Sequence, residues 1–310
     1  RAQFMQPYAD LLDRADSGNP QGIDRIGGIL FHNGRLIING FKYYDAASAV
    51  SQTTIVVDDA TDLSGSRVRG YYSFDVDAHA ANWMSEVPAE WQAELGGAYI
   101  AGASSGNPIL TRWPVGPSAF IFDPNNIGST TTLLDFSQDE PLNADFYNSS
   151  GNNDIWTHKS KAVYGFIVPG TRTYLTIGRS GGHDSGIGYK ITQSDGSSCG
   201  GYCTYDVQDN YNYYWLWDLG DLAKVKNGEM RASAVRPYAY GKIAVPFSDY
   251  DNLIGGAAYD SASNTLYISV EEADNSTQYM RSPVILAYEV GKSLAEPMEP
   301  VNVKAVQVED

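Results

Sequence analysis

Residues 178–190 run Gly178-Arg179-Ser180-Gly181-Gly182-His183-Asp184-Ser185-Gly186-Ile187-Gly188-Tyr189-Lys190 and pack an imidazole, a guanidinium, a carboxylate and a phenol into eleven residues. The glycines let the backbone approach a ligand closely. His183 can serve as general acid or base near neutral pH. Arg179 can neutralise a carboxylate by a bidentate contact. Tyr189 can deliver a proton to a leaving oxygen, and Asp184 adds a polar substrate contact. β-Elimination of a uronic-acid polymer needs this set. The plainer alternative is a glycine-rich inter-strand loop carrying a surface histidine.

Three further histidines exist. His79, in Asp77-Ala78-His79-Ala80, lies just past a strand end and is the second candidate for catalysis. His158 precedes a strand that starts near residue 162 and is a candidate for substrate contact, whereas His32 sits in a hairpin turn beside Asn33-Gly34. No diagnostic metal spacing links them, so no metal ligands are assigned. The runs Asp249-Tyr250-Asp251-Asn252 and Asp206–Asn210 offer oxygen ligands for a structural calcium ion. Neither matches an EF-hand loop, and surface turns account for both. Nothing in the chain requires a cofactor.

Aromatic residues form the other signal: Trp83 and Trp113 fall between predicted strands, and Tyr213 opens the run Tyr213-Tyr214-Trp215-Leu216-Trp217. Sugar rings stack on such side chains, so these three are expected substrate contacts. A strand points successive residues to opposite sides, so about half of the run is packing. Serine-nucleophile elbows and phosphate-binding glycine loops are absent.

Net charge is −16, from 37 acidic and 21 basic residues. Such a surface repels phosphate backbones, which argues against nucleic acid and anionic membranes as partners. There is no transmembrane run and no signal peptide, and the chain opens at Arg1 like a mature or trimmed form. Cys199 and Cys203, the two cysteines, flank Gly200-Gly201-Tyr202. They are expected to form a tight disulfide loop, which favours a secreted, periplasmic or cell-surface location.

The elements that must position these groups are β-hairpins. Gly27-Gly28-Ile29-Leu30-Phe31, Tyr164-Gly165-Phe166-Ile167-Val168 and Gly255-Gly256-Ala257-Ala258-Tyr259 each lead through a turn into a strand of alternating side chains. An aromatic–acidic–apolar strand end recurs at Phe74-Asp75-Val76, Phe122-Asp123-Pro124, Trp217-Asp218-Leu219 and Tyr288-Glu289-Val290. The recurrence makes these carboxylates holders of turns rather than one hydrolytic pair. The hairpin spacings approximate multiples of one unit of about 45 residues, the length of a propeller blade. Residues 1–310 are therefore expected to form one all-β domain, an irregular β-propeller of five to seven blades. Residues 131–136 and 242–247 would be eroded units. A short capping helix is predicted near 88–95, with Pro88 at its start and Gly96 to stop it, and a helical turn over 221–226.

In architecture the chain resembles secreted bacterial β-propeller proteins, and in residue types the 178–190 loop resembles the propeller-type polysaccharide lyases. The resemblance implies a polysaccharide or other extracellular glycan as partner, acted on by a lyase or glycosidase or simply bound. The rival expectation is a non-catalytic surface, adhesion or assembly module.

Overall fold

The computed structural model describes residues 10–45, 47, 49–104, 114–274, 281–291 and 304–305. Four four-stranded antiparallel sheets form a propeller-like arrangement of four blades. The first is β1 (Arg25–His32), β2 (Arg35–Phe41), β3 (Gln52–Val57) and β4 (Val68–Ser73). The second is β5 (Trp83–Glu86), β6 (Tyr99–Gly102), β7 (Ala119–Phe122) and β8 (Thr130–Leu134). The third holds β9 (Lys161–Ile167) and β10 (Thr173–Gly181), then an inserted hairpin of β11 (Ile187–Tyr189) and β12 (Tyr202–Thr204), then β13 (Asn210–Asp218) and β14 (Ala239–Lys242). The fourth is β15 (Ile254–Asp260), β16 (Thr265–Asp274), β17 (Ser282–Glu289) and β18 (Lys304–Ala305).

The expected five to seven blades are thus corrected to four. The segments taken for eroded units are outer strands: residues 131–134 lie in β8 and residue 242 ends β14. The second blade opens on β5, which has no Gly-Gly start and is cut from β6 by the helix α1 (Ala89–Leu95). That helix lies inside a blade rather than between two. It packs on α2 (Leu219–Lys226), where Lys226 Nζ donates to the Glu94 carbonyl at 2.8 Å. Gly96, at φ +92°, ends α1 in the left-handed cap that glycine favours.

The first strands pack around the axis, β1 on β5, β5 on β9 and β9 on β15, and strands from all four blades line a central cavity of about 650 Å³. Close approach explains the glycines. A Cβ on Gly27 would lie 1.9 Å from the Ala81 carbonyl oxygen. One on Gly165 would lie 2.3 Å from Tyr174 Oη and 2.8 Å from Trp83 Nε1. The largest apolar cluster runs between the second, third and fourth blades, with Trp83, Trp156, Trp215 and Trp217 fully buried. Leu216 is also buried, so β13 is packed on both of its faces rather than one.

An acidic residue ends or follows the third strand of every blade: Asp58, Asp123, Asp218 and Glu289, with Asp58 in the place expected for Asp75, which instead lies past the fourth strand β4. Asp123 accepts from the Asn125 N–H and Asp218 caps α2 by accepting from the Gly220 N–H, both as turn holders. Each blade is a meander, so its second-to-third-strand turn and the connections between blades lie at one end of the sheets. His79, His158 and the 182–209 insertion all belong to that end; His32 belongs to the other.

Candidate functional site

The third blade builds the site because its second-to-third-strand connection is long enough to carry a hairpin of its own. The disulfide-bonded pair Cys199 and Cys203 braces that hairpin, and Ile187, Gly188 and Tyr189 of β11 pair with Thr204, Cys203 and Tyr202 of β12. The base of the insertion is a tightly held turn. Gly182 and Gly186 both take positive φ, and a Cβ on Gly182 would meet Ile187 at 2.4 Å. Asp209 accepts from the N–H groups of Asp184 and Ser185 and from the Ser185 hydroxyl. Asn148 donates to the carbonyls of Gly182 and His183.

His183 sits under this turn, stacked on Tyr211 and Tyr213. Its Nδ1 lies 2.6 Å from the Asn153 carbonyl and must donate to it, so Nε2 accepts from the Ser180 hydroxyl at 2.7 Å. Both ring nitrogens are engaged by the protein. Burial pushes the imidazole pKa below its usual 6.5. Ser180 is itself 2.6 Å from Ser160, which extends the buried polar chain.

Arg179, the neighbouring strand residue, faces a different space. Its Nη1 donates to Glu271 of β16 at 2.7 Å, and it lines a cavity of about 410 Å³ together with Lys159, Ser180, Thr204, Asn210 and Tyr250. Neither His183 nor Tyr189 lines that cavity. Tyr189 instead lies on the outside of the hairpin, 54% exposed, with its ring 5.0 Å from Tyr202.

Tyr202 is the centre of an aromatic platform. His158 stacks on it with ring centroids 3.9 Å apart and an interplanar angle of 14°. Tyr147 stands edge-on to both, at 5.8 Å from Tyr202 and 4.9 Å from His158, and is 40% exposed. Exposed Tyr205 covers Gly188 on the same hairpin. Tyr147, Tyr202, Lys159 and Lys161 were not singled out from sequence. The one signal for them was Lys159-Ser160-Lys161, a pair of lysines entering a strand in a lysine-poor chain.

The remaining expectations sort by burial. Trp83 is 2% exposed and donates its indole N–H to Tyr174 Oη, so it is core rather than a sugar platform. Tyr213 is 4% exposed with its hydroxyl donated to the Asp154 carbonyl, and is core for the same reason. Asp184 is exposed and pairs with Lys242 at 2.8 Å. Trp113 lies outside the described residues. His79 Nδ1 donates at 2.7 Å to the Asp135 carboxylate on the connection to the third blade. The two candidate calcium runs are turns: Asp249 accepts from the N–H groups of Asp251 and Asn252, and Asp206 from that of Gln208. Among the described residues no three His, Cys, Asp or Glu side chains are grouped to hold a metal ion, and no helix is long and apolar enough to cross a membrane.

Compared with known proteins, the chain matches no family model, no curated protein and no solved structure.

Proposed function

We propose that the protein is an extracellular polysaccharide-binding propeller that holds its ligand across the loop end of the third blade. The observation that carries this is the platform of Tyr147, His158, Tyr189 and Tyr202, ring against ring at a disulfide-braced hairpin, with Tyr147 and Tyr189 exposed and His158 and Tyr202 part-exposed. Apolar C–H faces of sugars stack on such rings, while the phenol edges hydrogen-bond hydroxyls. A hairpin held in shape before binding loses little entropy when the ligand arrives. The cavity lined by Arg179 is walled by Cys203 and Thr204, which follow Tyr202 on the same strand.

Binding without turnover fits this geometry better than lyase or glycosidase chemistry. A general base needs a nitrogen within reach of the substrate proton, and both nitrogens of His183 are engaged within the protein. The disulfide supports an oxidising compartment outside the cytosol.

The test is affinity electrophoresis through gels containing neutral and acidic polysaccharides, run beside an assay for reducing ends and unsaturated uronates. Retention by at least one polymer without product, lost in Tyr202→Ala, is the expected result. Product formation abolished in His183→Ala would replace this account with an enzymatic one.

A further inference from the structure

Three cations, Lys159, Lys161 and Arg179, gather part-buried in the third blade beside one paired carboxylate, in a chain whose net charge is −16. Lys159 and Lys161 enter β9, and Lys161 is the register partner of Arg179 on β10. Neither lysine ammonium has an ion pair or hydrogen bond among the described residues, and both lysines are part-buried. Among the described residues Glu271 is the only carboxylate ion-paired with the group, through Nη1 of Arg179. Asp251, which also lines the cavity, is exposed and makes no ion pair among the described residues.

Unmatched buried charge is costly, and a fold keeps it where something else completes it. Burial, and then the charge of Arg179, depress the ammonium pKa of both lysines. The cavity lined by Lys159 and Arg179, about 410 Å³, has room for one sugar-sized unit. Its polar lining of Ser180, Thr204, Asn210 and Tyr250 supplies neutral hydrogen-bonding groups around the cations. The free edge of the Arg179 guanidinium offers the fork that a planar carboxylate fits.

We propose that Lys159 and Arg179, with Lys161 adding its field from the central cavity, bind the carboxylate of a uronate unit in an acidic glycan. The site rests on the polysaccharide-binding account above and names the class of sugar. Cys203 and Thr204 of β12 wall the cavity while Tyr202 of the same strand carries the platform, so one chain segment divides stacking from charge recognition.

The experiment is calorimetric titration of the whole protein with an oligogalacturonate, its methyl-esterified form and inorganic sulfate, alongside thermal melts. Wild type should bind the oligouronate, lose about tenfold or more in affinity for the ester, and lose a similar factor in Arg179→Gln and Lys159→Met. Lys159→Met should also melt higher than wild type without ligand, because it removes an unmatched buried charge; this shows the variant is folded. Equal affinity for acid and ester, unchanged in Lys159→Met, would overturn the carboxylate site and leave the aromatic platform standing. Sulfate or oligouronate binding that depends on Lys159 with no polysaccharide retained on gels would support the anion site and overturn the glycan account. Lack of binding by all three probes would overturn the site.

Discussion

Arg179 on β10 and Glu271 on β16 form a 2.7 Å ion pair that ties the third blade to the fourth and offsets one of the three positive charges gathered there. Removing that carboxylate should therefore strengthen anion binding rather than weaken it. Glu271→Gln is expected to raise oligouronate affinity about threefold to tenfold, the factor that ~1 kcal/mol from one part-exposed charge corresponds to. The gain should shrink at high salt. A drop in affinity would mean that Glu271 holds Arg179 in its binding pose, and that positioning outweighs charge.

The lysines make a separate pH prediction. Their folded pKa values lie below the usual 10.5, so in alkaline solution the unfolded chain holds more protons than the folded one. Ligand-free stability should then rise as pH climbs from the lowered values toward 10.5, once the contribution of tyrosine ionisation is subtracted. The charged neighbours are Arg179, which depresses both lysines, and Glu271, which partly offsets this at Lys161. Denaturant melts of wild type and the Lys159→Met, Lys161→Met double variant between pH 8 and 10.5 check this. The rise should be smaller in the variant, and equal slopes would contradict it.

His183 predicts the opposite end of the scale. Its folded pKa is pushed below 6.5 by burial, against the opposing pull of the Asn153 carbonyl, Asp209 and Asp154, with Lys242 adding to the depression. Unfolding exposes a ring that takes up a proton, so stability falls as pH drops through 6.5 toward the folded value. His183→Gln should lower stability at pH 8 by ~1–3 kcal/mol through the lost buried hydrogen bonds, yet flatten the pH dependence between 7 and 5. An unchanged acid slope in that variant would rule out His183 as its source.

Trp83 and Gly165 test the core assignment. Trp83→Ala should cost ~3–5 kcal/mol, as a large buried aromatic does, and leave glycan affinity of the remaining folded protein intact. Gly165→Ala should be comparably damaging, because its Cβ would meet Tyr174 Oη at 2.3 Å and Trp83 Nε1 at 2.8 Å. Were Trp83→Ala to fold normally but lose ligand, the tryptophan would have to be reassigned to the binding surface.

Much of this architecture was written in local patterns. The hairpins opening at Gly27, Tyr164 and Gly255 are β1–β2, β9–β10 and β15–β16, since glycine-rich strands and tight turns carry their own signal. The helix over 89–95 was legible from Pro88, Glu90 and Gly96. Blade number was not, because β5 is four residues long and the outer strands β8 and β14 have no marker separating them from a new blade. Residues 178–190 were legible as a special segment but not in their arrangement. Arg179 and Ser180 are adjacent on a strand, so the guanidinium reaches Glu271 of the fourth blade while the hydroxyl reaches His183, a division that the local sequence does not encode. The pairing of Lys161 with Arg179 and the stacking of His158 on Tyr202 join residues from separate elements, and no local pattern encodes either.

The most direct test of polysaccharide binding at the platform is the affinity-gel retention of wild type against Tyr202→Ala and Tyr189→Ala across the polysaccharide panel. The account predicts that wild type is retarded by an acidic polymer and that each variant loses about tenfold in affinity, since stacking on one ring is worth ~1 kcal/mol or more. Both variants should melt within a few degrees of wild type. Retardation that is identical in wild type and both variants would place the ligand elsewhere and contradict the account.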